Sequence, residues 1–313
     1  MTPAPLAARL REPGGPLFFP VTACGPDGSL DLDVYRTHVR RGVAAGAAAV
    51  FACCGTGEFH ALLPEEFEAC VRVAVEAAGG RVPVVAGAGY GTALAVRYAR
   101  LAADAGADGL LAMPPYLVLA GQEGLLRHYR EIAAATALPV IVYQRDNAVL
   151  TPRTVVELAR TEGVIGLKDG LGDLDLMQRT ISAVRTEAPG GFLYFNGLPT
   201  AEQTQLAYRA LGVTLYSSAV FCFAPEIALA FHRALETSDL PTAHRLLDGF
   251  YRPFAELRAQ GHGYAVSLVK AGVRLRGLDV GEVRPPLREP SDDHVKQLAQ
   301  LIERGHALLE GDA

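Results

Sequence analysis

Lysine is scarce in this chain of 313 residues, and tryptophan is absent. The only lysines are Lys168, Lys270 and Lys296, so the other 26 of the 29 basic side chains are arginine. Lysine is ordinarily among the commonest residues, and chemistry that needs a side-chain amine is therefore confined to three positions. Lys270 and Lys296 fall in segments with helical periodicity, where we expect solvated helix faces. Lys168 follows a short apolar run and needs another explanation.

Long apolar runs are also missing. No stretch of about twenty apolar residues occurs, and the segment from Met1 to Leu6 has no basic region followed by an apolar one. We therefore expect neither a membrane-spanning helix nor a signal peptide. The net charge of −5 disfavours binding to nucleic acid or an anionic membrane, because both repel an acidic surface. The predicted location is the cytoplasm.

Cysteine usage excludes two further classes of protein. The five cysteines are scattered and odd in number, which is not the pattern of a disulfide framework. Cys53 and Cys54 adjoin in a predicted strand and lack the C-x-x-C spacing of a zinc site. The eight histidines show no ligand spacing in the company of carboxylates, and no G-x-S-x-G sequence marks a serine nucleophile. We expect no metal, and cysteines that are small buried residues.

Short apolar runs alternate with amphipathic segments over the first 236 residues. The runs are nearly continuously apolar, as in parallel strands buried on both faces, and span residues 17–21, 48–52, 83–86, 109–113, 140–143, 164–167, 192–195 and 213–216. Helical patterns cover residues 32–45, 64–78, 92–105, 122–135, 151–160, 173–188, 199–211 and 224–235. This α/β alternation of eight units predicts a (β/α)₈ TIM barrel over residues 1–236. An open doubly wound sheet is the alternative, but it does not require so regular an alternation.

The pattern changes after residue 236. Helical periodicity continues over residues 240–257, 264–275 and 292–309, and the proline-rich residues 284–290 form a loop, because proline cannot continue a helix. We predict an appended C-terminal three-helix region, residues 237–313, packed on the barrel. Glycines that precede the predicted strands, namely Gly46, Gly106, Gly163 and Gly212, are expected to end the preceding helices.

In a barrel of this kind the chemistry lies at the carboxyl ends of the strands. The polar residues that follow the predicted strands are Thr22, Gly55, Thr56, Gly57, Glu58, Tyr116, Tyr143, Arg145, Lys168, Asp169, Asn196, Ser217 and Ser218. The backbone N–H groups of residues 55–58, with the Thr56 hydroxyl, suit a carboxylate or phosphate. Residues 87–91 are also glycine-rich, but their G-x-G-x-G spacing does not match a dinucleotide-binding motif and is interpreted as a turn.

Lys168 is the strongest single candidate. Residues 164–167 deliver it to the mouth of an apolar barrel, where desolvation disfavours the ammonium form and favours a neutral amine that can attack a carbonyl. The alternative is a structural ion pair with a barrel carboxylate such as Asp169. Tyr143 ends the neighbouring predicted strand, so its phenol could move protons in the same cavity. The alternative for Tyr143 is an aromatic that packs on the rim.

Four motifs together resemble the dihydrodipicolinate synthase / N-acetylneuraminate lyase superfamily, over nearly the whole chain. They are Cys54-Gly55-Thr56-Gly57-Glu58-Phe59, Val142-Tyr143, Gly166-Leu167-Lys168-Asp169 and Gln122-Glu123-Gly124-Leu125. The resemblance implies a class I lyase without metal or cofactor, in which Lys168 forms a Schiff base with the keto carbon of the substrate. It implies Tyr143 as proton shuttle with Thr56 as its hydroxyl partner, and Tyr116 as a further relay, from the same or a neighbouring subunit. It also implies substrate-binding residues, namely Gly55, Gly57, Asn196, Ser217 and Ser218.

A second set of motifs resembles one branch of this superfamily, which acts on a keto sugar diacid. The set comprises residues 143–150, 216–220 and 264–287, the last ending in Val283-Arg284-Pro285-Pro286-Leu287. The implied reaction converts 5-dehydro-4-deoxy-D-glucarate to 2,5-dioxopentanoate, carbon dioxide and water. An aldolase that releases pyruvate from a 2-keto-3-deoxy sugar acid is the alternative within the superfamily, and a non-catalytic barrel is the alternative outside it. The family also implies a homo-oligomer, a dimer or tetramer.

The chain departs from the superfamily pattern at several positions. Thr56 is a single threonine where the synthases commonly have two, and Arg145 comes two residues after Tyr143 without the usual intervening proline. Both departures weaken assignment to the synthases or sialic-acid lyases. They leave Arg145 either as a ligand for a substrate carboxylate or as a residue at a subunit contact. Cys53 and Cys54 stand where smaller residues are expected in this branch, which leaves the shape of the pocket open.

Overall fold

The computed structural model describes residues 5–11 and 14–310, and eight parallel strands within them form one closed barrel in the order β1 to β8. The strands are β1 (Leu17–Phe18), β2 (Ala49–Ala52), β3 (Val84–Ala88), β4 (Gly109–Ala112), β5 (Val140–Gln144), β6 (Val164–Asp169), β7 (Leu193–Asn196) and β8 (Leu215–Ser218). The predicted (β/α)₈ fold is confirmed. Met1 to Ala4, on which the prediction about a signal peptide partly depends, lie outside the described residues.

Several strands continue beyond their predicted apolar runs into polar residues. β5 ends at Gln144, β6 at Asp169, β7 at Asn196 and β8 at Ser218. Tyr143 pairs with Lys168, and Asp169 pairs with Asn196, in the parallel ladder. The polar residues expected just after these strands are thus part of the sheet, whose hydrogen bonds fix their backbone positions.

The helices that follow the strands match their predicted segments within about three residues, as expected for helix ends that fray. They are α2 (Leu32–Ala45), α3 (Pro64–Ala78), α4 (Thr92–Asp104), α5 (Gln122–Ala133), α6 (Pro152–Ala159), α7 (Leu174–Glu187), α8 (Glu202–Ala210) and α9 (Pro225–Glu236). Side chains of Asp31, Thr151 and Asp173 accept hydrogen bonds from first-turn N–H groups, which caps three of these helices. A short helix that was not predicted, α1 (Leu6–Arg11), precedes β1 and buries Leu6 and Leu10.

The glycines expected to end helices have the predicted conformation. The φ angle is +108° at Gly46, +87° at Gly106, +82° at Gly163 and +86° at Gly212. Only glycine adopts this left-handed region without a steric penalty. These residues turn the chain from each helix back towards the next strand.

The C-terminal region contains the three predicted helical segments. The first segment consists of α10 (Leu240–Leu246) and α11 (Arg252–Ala259), which are joined by a π-helical turn (Leu247–Tyr251). The second and third segments are α12 (Tyr264–Leu275) and α13 (Asp292–Glu310). The side chain of Lys296 is 73% exposed, as predicted. The prediction of a solvated face was wrong for Lys270, which is 0% exposed, because its ammonium pairs with Glu58 instead of water. Among the residues described, no helix is long and apolar enough to cross a membrane.

The five cysteines are buried and carry free thiols, as predicted. The placement of Cys53 and Cys54 in a strand was wrong. Strand β2 ends at Ala52, and Cys53 has a φ angle of +50°, which breaks the extended conformation and begins a turn.

The described residues divide into two compact units, each considered by itself below. The first unit contains residues 5–11 and 83–217, and the second contains residues 14–82 and 218–310. The first therefore holds the ends of β5, β6 and β7, with Tyr143, Lys168 and Asn196. The second holds the segment after β2 and the C-terminal helices. The boundary expected at residue 236 stays a prediction.

Buried His38 should make the stability of the fold depend on pH. It lies in α2, is 3% exposed, and packs edge-on against Phe18 with 5.2 Å between ring centroids. Its Nε2 has no hydrogen-bond partner among the described residues. Burial, and to a lesser extent the charge of Arg41, lowers the pKa of His38 from 6.5 to about 3. Protonation therefore favours the unfolded chain throughout the interval between these two values.

We expect the free energy of unfolding to fall as pH drops from about 6.5 towards 3, and His38→Phe to reduce this loss by a few kcal/mol. Urea unfolding at pH 7.5, 5.5 and 4.5 measures the effect. His60→Gln, at an exposed histidine, is the control and should leave the curve unchanged. If the free energy of unfolding changed with pH in the same way for wild type and for His38→Phe, the prediction would be contradicted.

Candidate active site

Lys168 lies near the end of β6, and its side chain is only 5% exposed. Its ladder partners are Tyr143 on β5 and Phe195 on β7. The Nζ atom lies over the Tyr143 ring, 3.8 Å from the ring centroid. The structure therefore brings together the two residues that were predicted to carry the chemistry.

A backbone carbonyl joins the two side chains. The Tyr143 hydroxyl donates a hydrogen bond of 3.0 Å to the carbonyl oxygen of Gly197, and Lys168 Nζ donates one of 3.4 Å to the same oxygen. The Lys168 amine and the Tyr143 phenol thus lie next to the same carbonyl oxygen, where a single bound molecule can contact both. Sequence reasoning missed the role of Gly197, because a carbonyl group has no side-chain signature.

Two glycines make room for the pair. A Cβ atom at Gly197 would lie 2.6 Å from Lys168 Nζ and 2.7 Å from Lys168 Cγ. A Cβ atom at Gly170 would lie 2.8 Å from Cε2 and 2.9 Å from the hydroxyl of Tyr143. Real Cβ contacts are almost never this short, so any side chain at either position would displace Lys168 or Tyr143. The absence of a side chain at both positions is part of the site.

The carboxylate of Asp169, the alternative partner considered for Lys168, is occupied by other donors. It accepts hydrogen bonds from the Gln144 side chain at 2.8 Å, from the Tyr208 hydroxyl, and from the N–H groups of Leu171 and Gly172. Successive strand residues point to opposite faces, which separates this network from the Lys168 amine. Burial, with the bond to Asp169, raises the pKa of Tyr208 well above its ordinary value. Asp169 thus holds the chain segment that follows Lys168.

Asn196 and Ser217 were both predicted to bind substrate. The Asn196 side chain is 0% exposed, and its amide donates to the Ala201 carbonyl, Thr204 Oγ1 and Gln205 Oε1. Ser217 is half-buried, and its hydroxyl lies 3.5 Å from the Asn196 carbonyl. The contacts of Asn196 shape the segment between β7 and α8, and its role towards substrate stays a prediction.

Arg145 directly follows β5, two residues after Tyr143. Its side chain is 45% exposed, and its Nε donates a 3.0 Å bond to Asp146. Burial opposes the guanidinium charge, but interactions with Tyr143 and Asp146 raise the pKa of Arg145 above its ordinary value. Arg145 is thus charged and interacts with Tyr143 and Asp146, and the choice between its two predicted placements stays open.

Tyr116 lies in the segment after β4 and is 64% exposed. Its ring packs edge-on against Tyr90, with 6.1 Å between centroids. The next three residues, Leu117, Val118 and Leu119, are 80%, 56% and 87% exposed. The segment thus presents a run of apolar side chains to solvent.

The predicted carboxylate-binding residues Gly55, Thr56 and Gly57 lie in the second unit, in the turn after β2. Gly55 is exposed, Thr56 is half-buried and Gly57 is buried. Thr22, in the segment that follows β1, donates a 2.7 Å bond to the Gly57 carbonyl. Ser218, in the same unit, is 0% exposed, and its hydroxyl accepts a bond from the Phe221 N–H. The turn leaves Gly55 and the Thr56 side chain as its accessible part.

A buried primary amine beside a phenol has a definite chemical capacity. The amine can condense with a carbonyl group, and the phenol can move protons at the carbon next to the imine. Such a pair is chemically suited to carbonyl compounds that carry an acidic neighbouring C–H. Within residues 5–11 and 14–310, no three histidine, cysteine or acidic side chains are grouped to hold a metal ion.

Comparison with known proteins gives a consistent family. Residues 12–305 match the model of the dihydrodipicolinate synthetase family. A relative from Streptomyces coelicolor, named probable 5-dehydro-4-deoxyglucarate dehydratase 1, is 83% identical over 314 residues, which cover 100% of this chain and 99% of the relative. One from Bradyrhizobium diazoefficiens, named probable 5-dehydro-4-deoxyglucarate dehydratase, is 45% identical over 98% of this chain and 96% of its own length.

Solved structures agree with this result. The crystal structure of dihydrodipicolinate synthase from Bacillus clausii is similar, with a TM-score of 0.86 and 28% identity over 96% of this chain and 99% of that one. The similarity extends through both the barrel strands and the C-terminal helices.

Proposed function

The chain belongs to the dihydrodipicolinate synthetase family, and we propose that it converts 5-dehydro-4-deoxyglucarate to 2,5-dioxopentanoate, carbon dioxide and water. The names of its relatives support this choice of substrate. The main structural support for this chemistry is that the Lys168 amine and the Tyr143 phenol both donate hydrogen bonds to the Gly197 carbonyl oxygen. The proposed enzyme is a carbon–oxygen lyase that also decarboxylates.

The first step forms a Schiff base. Lys168 Nζ attacks the keto carbon, a C–N bond forms, and the keto oxygen leaves as water. Lys168 is placed in this role because its side chain is 5% exposed and its Nζ lies over the Tyr143 ring, and a lysine amine is a nucleophile that forms Schiff bases with carbonyl substrates. The protonated imine then acts as an electron sink for the later steps.

Dehydration follows from the imine. Tyr143 gives its phenol proton to the departing keto oxygen in the first step. As the resulting phenolate it takes a proton from the methylene carbon beside the imine, and the electron pair of that C–H bond forms an enamine. The enamine expels the β-hydroxyl group, which accepts a proton and leaves as water. The bond of the Tyr143 hydroxyl to Gly197 and the contact of its ring with Lys168 support Tyr143 as the group that moves this proton.

Decarboxylation uses the conjugated imine that dehydration leaves. The bond to the distal carboxylate breaks, carbon dioxide departs, and the electron pair moves through the conjugated system to the imine nitrogen. Protonation of carbon and tautomerisation of the resulting enol give the aldehyde. Water then hydrolyses the imine, which frees Lys168 and 2,5-dioxopentanoate, so that one water is released overall.

Recognition of the two carboxylates completes the proposal. Arg145, charged and beside Tyr143, is proposed to bind the distal carboxylate. The predicted roles of the remaining residues stay predictions; these residues are Gly55, Thr56, Gly57, Tyr116, Asn196, Ser217 and Ser218. We also propose that the chain acts as a homo-oligomer in the cytoplasm, which the exposed apolar residues after Tyr116 support.

Product analysis tests the proposed reaction. The purified protein is incubated with 5-dehydro-4-deoxyglucarate, and carbon dioxide, 2,5-dioxopentanoate and pyruvate are quantified. Equal amounts of carbon dioxide and 2,5-dioxopentanoate are expected. Pyruvate in their place would replace the dehydratase with the aldolase of the same family, and no product at all would overturn both.

Gly197→Ala should disable the site, because the added Cβ atom would crowd both Lys168 and the Asp169 carbonyl oxygen, 2.9 Å away. Because the added methyl group would lie 2.6–2.7 Å from Lys168 atoms, the amine must move, and a displacement of about 1 Å can lower kcat by about 10²-fold. Gly190→Ala is the matched control, since a Cβ atom there meets nothing within 4 Å. Equal kcat values for the two variants would show that Lys168 does not need the space beside Gly197.

A further inference from the structure

The turn after β2 has a tightly specified backbone. Two residues other than glycine, Cys53 and Glu58, have φ angles of +50° and +55° and bracket Gly55, Thr56 and Gly57. Such conformations persist only where surrounding contacts hold them, and they cluster at functional sites. A Cβ atom at Gly57 would lie 3.1–3.2 Å from Cys53 backbone atoms and 3.2 Å from the Pro20 carbonyl oxygen. The turn is therefore held closely on its buried side.

The side chain of Glu58 ends in a buried ion pair. Glu58 Oε1 lies 2.9 Å from Lys270 Nζ, and the two side chains are 1% and 0% exposed. The second carboxylate oxygen accepts a 2.8 Å bond from the Arg284 N–H, and Lys270 also donates a 2.6 Å bond to the Glu282 carbonyl. All of these groups belong to the second unit. One carboxylate therefore links the turn after β2 to helix α12 and to the segment that follows it.

A buried ion pair is a poor device for stability alone. The desolvation of two charges offsets most of their attraction, and well-packed apolar residues often stabilise a fold as well or better. A buried ion pair whose charged atoms are all hydrogen-bonded instead fixes the positions of the two side chains and of the backbone that carries them. Here the fixed residue is Glu58, which directly follows buried Gly57 and the more accessible Gly55 and Thr56.

We propose that Lys270 is a positioning residue, which holds the carboxylate-binding turn in its substrate-binding form through Glu58. The proposal rests on the proposed function only in taking residues 55–57 as the turn that binds the carboxylate next to the keto group. It gives the C-terminal region a part in substrate binding through α12. Lys270 does not touch the reacting atoms in this role.

The expected signature is a change in KM with little change in kcat. The carboxylate is present in both the bound substrate and the transition state, so weakening its site removes binding common to both. Hydrogen bonds to a charged group are worth about 10- to 100-fold in affinity. We expect Lys270→Met to raise KM by a factor in that range while kcat changes by less than about threefold.

The test compares three variants with wild type: Lys270→Met, Glu58→Gln, and the double variant. Steady-state constants are measured with 5-dehydro-4-deoxyglucarate, and thermal unfolding is followed for each protein. Lys270→Met leaves a buried carboxylate without its cation and should lower Tm. Adding Glu58→Gln removes that charge and should restore Tm, but KM should stay raised because the ammonium that fixes residue 58 is still missing.

Arg276→Met is the matched control, because it removes an ion pair to Glu226 at the end of the same helix and should leave KM unchanged. A double variant with both Tm and KM restored would overturn the proposal and leave a purely structural pair. If Lys270→Met does not fold, the double variant decides alone. If the wild-type protein releases pyruvate, the proposed function fails, but KM and kcat measured for pyruvate formation still decide the role of Lys270. If the wild-type protein shows no turnover at all, both the proposed function and the proposal for Lys270 fail.

Discussion

Replacing Lys168 with methionine is expected to abolish turnover, with kcat lowered by a factor on the order of 10⁶, the scale seen when a covalent nucleophile is removed. Methionine has a similar length and suits the buried, aromatic-lined position of Lys168, so the barrel should remain folded. The loss is large because the imine is the electron sink for both dehydration and decarboxylation. No neighbouring group in the proposed mechanism replaces it.

The measurement combines kinetics with trapping. Wild type incubated with 5-dehydro-4-deoxyglucarate and borohydride should gain one adduct on Lys168, seen by mass spectrometry of its peptides. Lys168→Met should show neither adduct nor carbon dioxide. Lys296→Met, at a lysine 73% exposed, controls for the loss of a lysine and should behave as wild type. An adduct on another lysine, or appreciable turnover by Lys168→Met, would move the chemistry elsewhere.

Replacing Tyr143 with phenylalanine should lower kcat by about 10²- to 10⁴-fold, the usual contribution of a general acid–base group. The ring stays under Lys168, but the hydroxyl that bonds to Gly197 is lost. Imine formation should survive in part, since Lys168 is intact, whereas proton transfer at the neighbouring carbon should be slow. Exchange of that carbon's hydrogen in deuterated water, followed by NMR, measures the step directly.

Tyr35→Phe is the matched control for the tyrosine variant. Tyr35 is also buried, at 1% exposed, and its hydroxyl has no partner among the described residues. Removing that hydroxyl should leave kcat and hydrogen exchange near the wild-type values. Should Tyr143→Phe exchange hydrogen as fast as this control, another group must be the proton shuttle.

The fold was predictable because its signals are local and repeated. Each apolar run, each capped helix and each glycine such as Gly46 points to the same β-α unit, and eight consistent units leave few alternatives. The strand ends were predicted less well. Gln144 and Asp169 are polar, so the apolar runs stopped short of them, whereas ladder pairing and a shared hydrogen bond keep them in the sheet.

The pairing of Lys168 with Tyr143 was also predictable, since both lie at the predicted carboxyl ends of neighbouring strands. What could not be predicted depends on partners distant along the chain. Lys270 looked like a surface lysine because its buried partner, Glu58, lies 212 positions away. Likewise nothing near Tyr208 in the sequence indicates that its hydroxyl bonds to Asp169. Local patterns predict elements, whereas specific polar contacts require the assembled fold.

The uneven exposure of the lysines also bears on how the protein could be handled. Lys168 and Lys270 are 5% and 0% exposed, whereas the Lys296 side chain is 73% exposed. Amine-directed coupling reagents therefore meet one accessible lysine side chain, on α13, among the residues described. Of the lysine side chains, a dye or an activated resin should therefore modify Lys296 and leave the amine of Lys168 unmodified. Immobilised protein should accordingly keep most of its turnover, which makes the chain well suited to attachment on a solid support.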